Sequence, residues 1–173
     1  MIRNILIAIL CILPLIGFSQ SKRDKKKADA NTAAWIYDVE LGKHTATQGS
    51  KIVKIWSIAP SAMAAVKQAP KNAVHAVIFK GVPANEFGME VKPLDRTSRA
   101  DVDHAAFFEN FFADGGKYMQ FVTLVNNGNI APGDLIKVGK KDYKVGVLVT
   151  VRYNDLRKYL ESEGIIKSLA SGF

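Results

Sequence analysis

Two periods share this chain. Residues 35–41 read Trp-Ile-Tyr-Asp-Val-Glu-Leu, with Trp35, Tyr37, Val39 and Leu41 on one side and Asp38 and Glu40 on the other. A repeat of two is the mark of a half-buried strand. A polar loop over 42–49 leads to a second strand at Ile52–Ile58, expected to pair with the first in an antiparallel hairpin. The period then changes. After Ser61, a suitable N-cap, alanines recur at Ala62, Ala65, Ala69, Ala73 and Ala76. Steps of three and four place them on one helical stripe, which Met63, Val66, Val74, Val77 and Ile78 widen. Alanine lets a helix backbone lie close on a flat surface, so the stretch predicts a helix on a sheet. Pro70 in its middle predicts a kink or a division into two helices, and Gly81 and Pro83 end it.

Residues 82–103 read as a long connection broken by Pro83, Gly88 and Pro93. Loops of that length are usually functional or disordered. A short helix follows from Ala105 to Ala113, with Phe107, Phe108, Phe111 and Phe112 as a broad apolar face and Gly115-Gly116 as its stop. Strands are expected at Tyr118–Val125, Leu135–Val138 and Tyr143–Arg152. The last has Val145, Val147, Val149 and Val151 on one face. Asn154 is placed to cap a final helix, Asp155–Glu163, ended by Gly164. Ile165, Ile166, Leu169 and Phe173 are placed to dock the C-terminal residues on the body. The order β-β-α-α-β-β-β-α predicts an α+β fold: an antiparallel or mixed sheet of about five strands with helices packed on one face.

The first residues change the picture of where the chain works. A short positive start at Arg3 and an apolar run from Ile5 to Phe18, with Gly17 and Ser19 at the −3 and −1 positions of a cleavage site, read as a secretory signal peptide over 1–19. The run is too short for a membrane span. The only cysteine, Cys11, lies inside it behind Leu10, so lipidation is not expected. Residues 20–31 read as a flexible basic linker and 32–173 as one α+β domain. The formal net charge is +8 in 173 residues. Much of it sits in Lys22, Arg23, Lys25, Lys26 and Lys27; from Ala28 onward 18 Lys and Arg face 15 Asp and Glu. Charge in a tail does not suggest a nucleic-acid interface. It suggests a solvated linker, or electrostatic contact with an anionic surface.

Candidate chemistry is thin. Asp101, Asp103 and His104, with Glu109 further on, are metal-ligand residue types at close spacing. The same acids also suit the start of a helix, where the dipole favours them. His75 lies inside the alanine helix with no sequence-evident nucleophile beside it. Gly115-Gly116-Lys117 runs from helix to strand, the reverse of an anion-binding loop. Four phenylalanines on nine residues exceed what one contact face hides, so Phe107, Phe108, Phe111 and Phe112, with Trp56 and Tyr143, are candidate binding residues. No cofactor is expected.

The stretches GSKIVKIWS to NAVHAVIFKG, FFENFFADGGKYMQFV and YKVGVLVTV to LRKYLESEGIIK resemble an uncharacterised family of small secreted proteins of Bacteroidota. The signal ending FSQ is similar to exported proteins of that phylum. There is a looser architectural likeness to small envelope-lipoprotein and flagellar-accessory domains. The resemblance implies export and brings no activity. The expectation is an exported, periplasmic or extracellular, non-enzymatic module that binds an envelope protein. Alternatives are a small metal-dependent hydrolase using the 101–109 residues, or a carrier holding a small apolar ligand between the phenylalanine helix and the sheet.

Overall fold

The computed structural model describes residues 34–43 and 46–168. The expected signal segment, basic linker and docking residues Leu169 and Phe173 lie outside them. The fold is α+β. Five antiparallel strands, β1 (Asp38–Leu41), β2 (Lys51–Ala59), β3 (Val122–Leu124), β4 (Leu135–Lys137) and β5 (Tyr143–Val151), form an open sheet in the order β1-β2-β5-β3. β4 pairs with the other end of the β5 edge that β3 uses. The core lies on one face. Val53, Ile55, Ser57 and Ala59 of β2 and Val145, Val147, Val149 and Val151 of β5 are buried there.

Helix α1 (Ala62–His75) lies across this valine floor. Ser61 caps it, its hydroxyl accepting from the Ala64 amide. Ala65, Ala69, Ala73 and Ala76 are all fully buried, as the stripe predicts. The division expected at Pro70 is absent: α1 is one helix through the proline. Packing of the turns on both sides outweighs a penalty of about 3 kcal/mol. The irregularity comes later, where residues Ala76–Lys80 widen into a π turn closed by the Gly81 amide on the Ala76 carbonyl at 2.8 Å. Gly81 has φ +73°, and a side chain there would meet the Val91 carbonyl oxygen at 2.8 Å.

The π turn anchors the long connection. Carbonyls of Val77 and Ile78, at the end of the helical run, accept from the amides of Leu94 (3.0 Å) and Asp95 (2.9 Å). A bridge between Val82 and Val91 closes the loop between them. Residues 82–103 are therefore pinned to the body. Asp95, 2% exposed, fixes the next turn: Oδ1 accepts from the Thr97 amide and hydroxyl, and Oδ2 from the amides of Arg99 and Ala100. Burial alone would raise the Asp95 carboxyl; the hydrogen bonds from Thr97, Ala100 and Arg99 together outweigh it and hold the carboxyl below its ordinary value.

Two short helices follow, α2 (Ala100–Asp103) and α3 (Ala105–Phe111). The strand expected at Tyr118–Val125 is mostly something else: Lys117–Phe121 is a 3-10 turn and only Val122–Leu124 joins the sheet. Tyr118 and Phe121, three apart, both reach the core, which a turn of three residues permits and a strand does not. The first strand is also shorter than its pattern, starting at Asp38 and not Trp35. The final helix α4 (Tyr153–Ser162) starts two residues before Asp155, with Arg152 at its N-cap, so Asn154 is inside it. The Asn154 amide donates to Gly49, and the Arg152 guanidinium to the Gln120 carbonyl.

Asp95→Ala removes an acceptor from four donors, of which only the Arg99 amide keeps another, the Thr97 hydroxyl at 3.3 Å. Its expected cost is about 2–3 kcal/mol in denaturant unfolding at neutral pH. A loss below about 0.5 kcal/mol would show that the connection holds without this carboxylate.

Candidate functional site

The sheet has a second face, and among the described residues no helix packs on it. Its residues are the even positions of β2 and β5, which are only partly buried or exposed, Gly146 apart. Register places them in rows. Glu40, Lys54 and Leu148 form one row across β1, β2 and β5. Asp38, Trp56 and Gly146 form the next. Ile58, Lys144 and Ile136 form the third, across β2, β5 and β4.

Trp56 is the centre of this face. Its indole lies over Gly146, where an added Cβ would meet three ring atoms at 3.0–3.1 Å. The indole Nε1 donates to Glu40 Oε1 at 3.0 Å. Two lysines flank the ring, with Nζ of Lys54 at 5.2 Å and of Lys144 at 5.6 Å from its centroid. Both are also ion-paired. Lys54 donates to Asp134 at 3.0 Å and stands 3.9 Å from Glu40; Lys144 reaches Asp38 at 3.4 Å. Two exposed isoleucines stand on either side of Lys144 in the third row. Ile58 is 44% and Ile136 46% exposed. Ile36, two residues ahead of Asp38, is 58% exposed.

The other expected binding residues do not join Trp56. Phe108, Phe111 and Phe112 are buried, and only Phe107 is part-exposed. Their rings pack on one another and on Phe79, Tyr118, Phe121 and Tyr159, and Phe107 and Phe111 border a pocket of about 240 Å³ shared with Tyr159. Tyr143 is an odd position of β5, paired with Ala59, and packs against the core. Trp56 is an even position of β2 and points the other way.

The metal-ligand types stay apart. Asp103 pairs with Arg99 at 3.3 Å, and Asp101 accepts from the Val102 amide. Among the described residues no group of three or more such side chains is placed to hold an ion. Asp103 and His104 instead line a cleft of about 640 Å³ beside the end of α4.

His75 is held in the core by the end of α1. Its Nδ1 shares a 2.6 Å hydrogen bond with the Tyr37 hydroxyl. Trp35 stacks on its ring at 3.7 Å and 15°. Phe79 and Phe112 close the other sides. Trp35 has φ +51°, a strained value for so bulky a residue. Lys80 secures that backbone, its Nζ donating to the carbonyls of Trp35 and Tyr37 and lying 3.8 Å over the Tyr37 ring. Burial, and then the Lys80 charge, lower the His75 pKa from 6.5 to about 3. Burial pushes the Tyr37 hydroxyl up. The pair is neutral and enclosed, an arrangement that carries structure.

Comparison of the chain with protein-family models, with curated proteins and with solved structures finds no match.

Two outcomes follow. The unfolded chain binds a proton at His75 near pH 6.5 and the folded one only near pH 3. Stability from this group is therefore complete above pH 6.5 and lost as pH falls, by about 1.4 kcal/mol per unit. Unfolding curves of the protein and of His75→Phe, compared from pH 7 to 4, should converge at that rate; parallel curves would show that His75 titrates freely. Gly146→Ala should displace the indole at a cost of about 1–2 kcal/mol. Tryptophan emission should shift with it, and a shift that persists in Trp56→Phe would place the change at Trp35.

Proposed function

We propose that this chain is an exported, non-enzymatic module of the cell envelope that binds a protein through the open face of its sheet. The carrying observation is the arrangement around Trp56: an amphipathic ring fixed flat on a glycine, in a face whose cations are already paired, next to exposed Ile58 and Ile136. Buried aromatic anchors of this kind dominate protein interfaces. The charge pattern also limits the partner. Lys54 and Lys144 have their acids at hand, so a charged partner would have to break those pairs. An uncharged, apolar protein surface can pack on Trp56, Ile58 and Ile136 while leaving the pairs at its rim solvated and intact.

One feature supports the non-enzymatic part. The groups with displaced pKa values serve the fold: His75 is neutral under Trp35, and Asp95 holds a turn. Among the described residues no helix is long and apolar enough to cross a membrane. Export rests on the signal pattern of residues 1–19.

The test is photo-crosslinking in the protein's own host. A photo-reactive phenylalanine analogue replaces Ile136 in one strain and Lys158, on α4, in another. One protein partner should be captured from position 136 only. Trp56→Ala should weaken that capture by at least tenfold, the loss of an interface anchor being about 2 kcal/mol or more. Equal capture from both positions, or capture at 136 that Trp56→Ala leaves unchanged, would refute this reading. Capture of a second copy of the chain would replace the partner with a self-association.

A further inference from the structure

The cleft beside α4 shares no residue with the open sheet face. Its apolar floor is Leu94, Ala100, Ile165 and Ile166, the first three buried. Both walls are fixed. On one side the amides of Leu94 and Asp95 are clamped to the π turn, and Asp95 holds residues 97–100. On the other, Gly164 turns the chain at φ +71° and the Ile165 amide returns to the Leu160 carbonyl at 2.9 Å. The space of about 640 Å³ is thus built by two capped turns.

Its electrostatics are uneven. Of the acids that line it, Asp95 already accepts four hydrogen bonds and Asp103 is paired with Arg99. The cations are less satisfied. Arg96 and Lys167 have no ion pair among the described residues. Arg157, its side chain 15% exposed, uses one nitrogen toward Glu161 at 3.5 Å and another toward the Tyr153 hydroxyl at 3.4 Å, with its guanidinium 5.7 Å from the Tyr153 ring centroid. Glu161 Oε1 is itself buried with no hydrogen bond. A partly buried guanidinium with donors to spare, over an apolar floor, fits a ligand with an anionic head and a hydrocarbon body.

We propose that this cleft binds a small amphiphilic anion of the medium-chain carboxylate class, its carboxylate on Arg157 and Arg96 and its chain on Leu94, Ala100, Ile165 and Ile166. Calorimetric titration of the full protein with decanoate, below its micelle concentration, tests this. Binding should saturate at one equivalent. Arg157→Gln, checked by thermal melting, should weaken it about tenfold, the worth of one charge-assisted hydrogen bond. Arg96→Glu, a change at an exposed position, should weaken it severalfold without altering the melt. Decanol, with the same chain and no charge, should bind at least tenfold more weakly than decanoate. The proposal is overturned if decanoate does not saturate, if decanol binds equally well, if inorganic phosphate displaces decanoate, or if neither variant changes the affinity.

Discussion

The close approach of α1 to β2 and β5 is the contact on which the rest of the molecule depends. Alanines at 65, 69, 73 and 76 face two rows of valine and isoleucine, and all are removed from water. Each side chain contributes little area, but the absence of bulk brings the backbone near the sheet, where packing attraction is strongest. This contact fixes which side of the sheet is the core. It also outweighs the backbone penalty of Pro70. By using one face so completely it leaves the other, among the described residues, with no helical layer over the rows around Trp56.

The open face manages that exposure with charge. A bare sheet face with Trp56, Ile58 and Ile136 would be an aggregation hazard. Lys54 and Lys144 place their ammonium groups over the indole ring. Glu40, Asp38 and Asp134 neutralise them from neighbouring strands. Exposed pairs such as Lys144–Asp38 add little stability by themselves. Their effect is positional, because they hold the long side chains around Trp56 and leave Ile58 and Ile136 exposed on either side of Lys144.

Much of the fold was legible because its signals are local. The alternation in β2 and β5, the alanine stripe and the glycines after α3 and α4 each need only a short window. What was not legible depended on register or on distant packing. The pattern at 118–125 allowed a strand, and only the demand that Tyr118 and Phe121 both reach the core selects a 3-10 turn. The phenylalanines of α3 looked like a surplus because Phe79, Phe121 and Tyr159, which surround them, come from three other segments. Trp56 and Tyr143 were singled out together as aromatic residues, yet they stand on opposite faces of the sheet. The signal that separates them is parity: Trp56 is even in a strand whose odd positions are buried, and Tyr143 is odd in its own.

The same reasoning explains why the long connection was hard to read. Its Pro, Gly and Asp content is that of a mobile loop, yet Asp95 gathers four donors and the π turn offers two carbonyls to receive its amides. A carboxylate that accepts backbone amides two, four and five residues ahead can order a segment with no regular secondary structure. The geometry that makes Asp95 a structural residue also takes it out of contention as a catalytic one. Two cations of the cleft beside it, Arg96 and Lys167, have no ion pair among the described residues, although the connection is rich in acids.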